Sequence, residues 1–171
     1  MKKLVLILFC AALFSCSSSA AKRSEEQAQA GARQAAAAAD LEYITDFSQA
    51  QGRDWLLSEI RSGGRTIYLD REKLRLEGFY GVFTIHFQDG HASGMGAPNR
   101  FFGPYTVGAN QSLGFGNLAS TMMAAFMEPD ELKEHEFFNF LSRVNRWDFR
   151  YGQLELFSRA DNGAELVLVF N

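Results

Sequence analysis

Phe83, Ile85 and Phe87 alternate with Thr84, His86 and Gln88, and the run stops at Asp89 and Gly90. A period of two is that of a half-buried strand, and Asp-Gly is a two-residue hairpin turn, so the middle of the chain is committed to antiparallel sheet. Trp147, Phe149 and Tyr151 alternate with Asp148 and Arg150 in the same way. Leu154 to Phe157 and Leu166 to Phe170 are joined across Asp161, Asn162 and Gly163, which predicts a C-terminal meander. Its last strand, apolar at every position from Leu166 to Phe170, is expected to be central or covered on both faces. Trp55 to Ile60 and Thr66 to Leu69, around Ser62, Gly63 and Gly64, predict an opening hairpin. One helix is predicted over about 129–145. Pro129 suits a first turn, Asp130 and Glu131 favour its N-terminus, and Phe137, Phe140, Leu141 and Val144 share an arc of about 100° with Phe138 on the flank. The expected fold is α+β: a mostly antiparallel sheet or partly open barrel with this helix packed on it.

The chain begins differently. Lys2 and Lys3 precede the apolar run Leu4 to Phe14, then Ser15, Cys16 and three serines, the pattern of a secretory signal. Leu13, Phe14, Ser15 and Cys16 resemble the bacterial lipobox, although Phe14 is bulkier than the usual residue there. The resemblance implies cleavage after a signal peptide at 1–15 and acylation of Cys16. Leu4 to Cys16 as a helix is only ~20 Å long against ~30 Å of hydrocarbon, too short to span. Cys10 follows the bulky Phe9 and is the weaker candidate. Such a chain would sit in the bacterial envelope. Ser17 is not the Asp that retains lipoproteins at the inner membrane of enteric bacteria, so the outer membrane is favoured.

The two cysteines, Cys10 and Cys16, both belong to this leader, so the remaining chain has no thiol pair for a disulfide or a cysteine metal site. Loss of Lys2 and Lys3 leaves 15 basic against 20 acidic side chains, about −5, which argues against nucleic acid. Residues 16–40 read as the lipidated cysteine and a Ser/Ala-rich tether without aromatic or large aliphatic side chains. Whether coil or a solitary helix opened by Ser24 and Gln27, the tether spans roughly 25 Å. The 131 residues from 41 to 171 are aromatic-rich and read as one domain.

Within that domain, Asn99, Arg100, Phe101, Phe102, Gly103, Pro104, Tyr105 and Thr106, followed by Leu118, Ala119, Ser120, Thr121, Met122, Met123 and Ala124, resemble the signature of the META domain, or HslJ-like, family. Glu134, Phe137, Leu141 and Val144 keep the family's helix spacing. Gly152, Leu154, Leu156 and Phe170 fit its last strands. The resemblance covers roughly residues 50 to 171 and implies structural roles for Asn99, Arg100, Gly103, Tyr105, Thr121, Met123, Glu134, Phe137 and Leu141. It also implies links to stress tolerance and envelope integrity rather than a defined reaction. Pro98 and Ala125 stand where many relatives carry cysteines, and the paired loss is what a disulfide in those relatives would produce. Such a bond contributes ~2 to 4 kcal/mol, which packing must replace here.

Gly94 and Gly96 point to a bulged or closely packed ladder, and Pro104 to an edge or a bulge. Glu134 is expected to be partly buried and to need a partner, for which Arg100 is a candidate. His86 and His91 fall diagonally on one strand face, ~7 to 8 Å apart without a third ligand, so no metal is expected, and His135 is expected to be exposed. Gly114, Gly116 and Ala119 match the spacing of a dinucleotide fingerprint but have no βαβ context, so no cofactor is expected. No nucleophile elbow or free thiol offers covalent catalysis, and an enzyme is not expected. Fourteen of the sixteen Phe lie in the domain. Adjacent members of Phe101–Phe102 and of Phe137–Phe138 cannot both point inward on a strand, so one member of each pair packs under another element or forms an exposed patch. Two functions remain open. One is an envelope-anchored lipoprotein whose META-like domain binds or stabilises an unidentified partner. The other is a carrier, similar to secretin pilot lipoproteins, that holds a lipid or an apolar partner segment in a sheet cavity.

Overall fold

Strand β1 (Asp54–Ser62) organises the sheet because its two halves have different neighbours on one side. In the computed structural model, which describes residues 46–171, Asp54 to Leu56 pair with β3 (Thr84–Gln88), and Glu59 to Ser62 with β2 (Arg65–Tyr68). A bulge between Leu57 and Glu59 marks the change on the side facing β10 (Glu165–Phe170). Between β2 and β3 runs a short helix, α1 (Arg71–Leu76), whose N-terminal amides of Glu72 and Lys73 donate to the Asp70 carboxylate at 2.9 and 3.0 Å.

At the fork the Phe83 carbonyl accepts from Leu57 N–H at 3.0 Å, and Arg71 supplies further donors. Its guanidinium donates to the backbone oxygens of Val82 at 2.6 Å, Leu57 at 2.5 Å and Phe83 at 3.1 Å. Burial without a carboxylate pulls its pKa down to about 10, which still leaves it charged at neutral pH.

The chain continues through β4 (His91–Met95), β5 (Arg100–Val107), β6 (Leu113–Phe115), β7 (Ala119–Ser120), helix α2 (Glu134–Ser142), β8 (Arg146–Arg150) and β9 (Gln153–Arg159). The antiparallel order is β6-β5-β4-β3-β1-β10-β9-β8, with β2 beside β1 and β7 beside β5. Its ends meet: Leu113 N–H donates to Asn145 O at 3.2 Å and Trp147 N–H to Gln111 O at 2.9 Å. The ten strands thus form a nearly closed barrel with one seam, and the expected α+β architecture holds.

Alternation places Phe83, Ile85 and Phe87 inside, as expected, with Asp89 and Gly90 at φ of 50° and 75° in the hairpin. A 3-10 turn at Phe47–Ala50 inserts Phe47 between Phe87, Tyr105 and Trp147, with ring centroids at 5.0, 5.5 and 5.1 Å. The axis is filled by rings. Tyr105 also accepts a hydrogen bond from Gln51 Nε2 at 3.1 Å, and burial pushes its phenol pKa up. Tyr105→Phe removes only this bond, and a stability loss of about 1 kcal/mol in urea unfolding is the expected result.

Helix α2 starts later than its sequence suggests. Lys133 is the residue before its first turn, and the Lys133 N–H donates to Glu136 at 3.0 Å. Pro129, buried, lies within the connection before the helix, and Glu131 of that connection pairs with Lys73 of α1. Phe137 and Leu141 face the core as expected, Phe138 and Phe140 are half-buried, and Val144 is buried just beyond the helix. Ser158 Oγ donates to Phe140 O at 2.5 Å, fixing α2 against β9.

One further expectation is corrected. Tyr151 does not extend the inward alternation; it sits with Gly152 in the β8–β9 turn at φ 53° and is exposed. Pro104 lies on an inner strand at a bulge-like irregularity, as its residue type suggests: between the Phe102–Ala119 and Tyr105–Phe115 pairs, two residues of β5 stand opposite three. Its carbonyl faces β6, accepting from Gly116 N–H at 2.8 Å, and its missing N–H falls where pairing with β7 has ended and pairing with β6 has not begun.

Candidate functional site

Asn99 is buried between β4 and β5, and its side chain holds two distant segments together. Its Nδ2 donates to Glu134 Oε2 at 2.6 Å and to Met123 O at 3.1 Å. Its Oδ1 accepts from Met123 N–H at 2.7 Å and from Thr121 Oγ1 at 2.8 Å. Asn99 therefore binds the Met123 peptide as a neighbouring strand would. Glu134 completes the knot from α2: its Oε1 accepts the N–H groups of Ala97 and Asn99, each at 2.6 Å, on either side of the cis Ala97–Pro98 bond.

Among the expected motif residues, Asn99, Thr121, Met123 and Glu134 are thus brought together. Glu134 is half-buried, and its partners are backbone and amide N–H groups rather than Arg100, whose side chain points outward. Arg100 contributes its backbone, with its N–H donating to Thr121 Oγ1 at 3.1 Å and its carbonyl accepting from Thr121 N–H at 3.0 Å. Gly103 lets Asn117 and Leu118 cross close to β5, where a Cβ would meet Asn117 O at 2.6 Å. Tyr105, Phe137 and Leu141 belong to the core; Phe137 packs edge-on to Phe83 at 5.3 Å. Cys16 lies outside the described residues.

This knot borders an open groove of about 740 Å³ on the outer face of the sheet. Strand register aligns Asp54, His86, Ser93, Phe102 and Ala119 across it in one row, and Leu56, Thr84, Met95 and Arg100 in the next. Asp54 to Phe102 covers about 14 Å at three strand spacings. His86 Nδ1 lies 2.9 Å from Asp54 Oδ1 and its Nε2 3.2 Å from Gln88 Oε1, while His91 stacks on Phe102 at 4.9 Å with planes 8° apart. The two histidines do share a face, but both are taken up by neighbours. Among the described residues no group of three His, Cys, Asp or Glu side chains could hold a metal ion.

Phe102 is 54% exposed, and Tyr80, also exposed, lines the same groove from the α1–β3 connection. The Phe101–Phe102 pair therefore splits, Phe101 inward and Phe102 out, whereas Phe138 packs on Phe101 at 5.7 Å. Arg100 makes no ion pair among the described residues, so the groove offers aromatic faces, a hydrogen-bonded His–Asp pair and one open cation. Tyr80 and Asp54 carried no sequence signal for this, since their neighbours in the groove come from other strands. Beyond Thr121 the chain leaves the sheet, and Met122, Met123, Phe126 and Met127 are exposed.

A second charged cluster lies across the sheet. Asp148 and Glu155 are cross-strand partners, both buried, held by Arg61 to Glu155 at 2.9 Å and Arg150 to Asp148 at 3.0 Å. Each carboxylate is neutralised in place, which suits an ion network rather than a proton-transfer pair.

Solved structures include a protein from Burkholderia xenovorans, determined by NMR, with a TM-score of 0.55 and 23% identity over 75% of this chain and 89% of that one. That likeness concerns the fold. No curated protein matches the chain. The META domain family matches residues 48–169, the span that contains the barrel, the Asn99–Glu134 knot and the groove, and the chain belongs to that family.

Proposed function

We propose that this protein is a lipid-anchored, non-enzymatic binding module of the bacterial envelope, attached through Cys16 and engaging its partner on the outer face of the barrel. The observation that carries the reading is the groove. It combines exposed Phe102 and Tyr80 with Arg100, which makes no ion pair among the described residues, the mixture of anchor rings and a directional charge that binding surfaces use. The interior supports the alternative carrier poorly, because Phe47, Phe87, Tyr105 and Trp147 occupy the barrel axis where a lipid or partner segment would lie. The lipobox-like Leu13 to Cys16 supports the anchor, and the family supports a role in envelope integrity or stress tolerance. Ser17, which is not the inner-membrane retention Asp of enteric bacteria, favours the outer membrane.

Two measurements test the reading separately. Radiolabelled palmitate enters the wild-type chain and not Cys16→Ala if Cys16 is the acceptor; equal labelling refutes the anchor. Crosslinking in the native envelope should give a discrete adduct that drops at least tenfold in the Arg100→Ala, Phe102→Ala double variant while the Tm is unchanged. An adduct insensitive to both substitutions removes the groove from the proposal.

A further inference from the structure

Met122, Met123, Ala124, Ala125, Phe126 and Met127 form a run of six residues without a charge or a side-chain hydrogen-bond donor. Met122 is 99% exposed, Phe126 is as exposed as in an extended chain, and Met123 and Met127 are 62% and 71% exposed. Apolar side chains scattered singly over a surface are ordinary, but a contiguous set marks an interaction site. We infer that this loop is a wedge that enters the headgroup boundary of a lipid bilayer, beside the groove. The inference rests on the proposed Cys16 anchor.

The exposure is built into the fold. At one end Thr121 is paired to Arg100 and the Met123 peptide is gripped by Asn99 through both its N–H and its carbonyl. At the other, Pro129 is buried. The knot that ties Glu134 to Asn99 therefore holds the base of the loop while its tip projects.

Three observations favour a bilayer over a protein pocket. A specific protein interface carries roughly one hydrogen bond per 100–200 Å², whereas the acyl boundary requires none, and the tip offers no side chain to make one. Charges stand back on either side of the run with opposite signs, Arg100 near Thr121 and Glu128 and Asp130 beyond Met127, which matches a zwitterionic layer. Finally, only 29 residues separate Cys16 from Asp46, so acylation of Cys16 would tether the loop to the surface it would enter. Among the described residues the Ala124 and Ala125 peptide groups have no hydrogen-bond partner, which restricts entry to the hydrated boundary rather than the hydrocarbon centre. Ser120 and Thr121 belong to both the groove and the base of the loop, so the wedge would set the groove at the bilayer surface.

The test uses the full lipidated chain reconstituted in phosphatidylcholine vesicles with brominated acyl chains. Phe126→Trp should lose at least half of its added emission to bromine quenching and shift to the blue. Tyr151→Trp, in the exposed β8–β9 turn, should lose no more than the buried native Trp55 and Trp147. If the chain floats with the vesicles and the two variants are quenched alike, the wedge is refuted and the anchor stands. If the chain does not float, the anchor fails and the wedge with it.

Discussion

Glu134→Gln is expected to lower the Tm by roughly 10 °C, the consequence of about 3 kcal/mol lost from charge-assisted hydrogen bonds. The reason is geometric frustration rather than lost charge alone. Three N–H groups converge on the carboxylate, those of Ala97 and Asn99 and the Asn99 amide. A glutamine can accept from the two backbone donors only by turning its own NH₂ toward Asn99 Nδ2. Asn99 cannot flip in response, because Met123 presents an N–H to its Oδ1 and a carbonyl to its Nδ2. One donor must face another in every arrangement. Circular-dichroism melting of the full chain checks this, with Arg100→Ala as the comparison: its outward side chain makes no contact with Glu134, so its melting curve should overlay the wild type. A Glu134→Gln curve that also overlays the wild type would show that the knot contributes nothing to stability.

Gly94→Ala is expected to be as costly, about 3 kcal/mol or more, for a different reason. A Cβ at this position would lie 2.1 Å from the Thr84 carbonyl oxygen and 2.7 Å from the Phe101 ring. The first obstacle is backbone, so β3 and β4 would have to part under the groove, beyond the usual range for an overpacked core. Gly114→Ala in β6 meets nothing nearer than Thr106 Oγ1 at 3.8 Å and should change stability by less than about 0.5 kcal/mol. Urea unfolding of the pair separates tight packing from glycine's general effect on chain entropy. Equal midpoints for the two variants would sink the argument.

Features legible in the sequence are those whose cause is local. Asp89 and Gly90 adopt the two positive φ values that a two-residue hairpin needs, and both residue types announce it. Tyr151 adopts the same kind of turn with Gly152, but a tyrosine at φ 53° carries no such signal, so by residue type alone the alternation of Trp147 and Phe149 runs on to it. Pro129, Asp130 and Glu131 have the composition of a helix start; tertiary contacts instead spend them on a connection, where Glu131 reaches Lys73. Helix α1 escaped because six residues around a single buried Leu74 give no periodicity to read. The burial of Glu134 followed from its helical face, yet its partners did not, since backbone N–H groups 35 and 37 residues away have no residue-type signature. The groove is less legible still. It exists only as a register, with Asp54, His86, Ser93 and Phe102 contributed by four strands.

The seam between β6 and β8 has a consequence for how the protein keeps to itself. Every other strand boundary in the circuit is a ladder, whereas this one rests on the Leu113–Asn145 and Trp147–Gln111 hydrogen bonds and the Ser112–Arg146 bridge. Closure leaves little free edge to recruit another chain. Opening the seam would uncover two edges at once, β6 and β8, each with unpaired backbone groups that a strand of a second copy could pair with. The weakest join of the barrel is thus also its guard against strand exchange and aggregation.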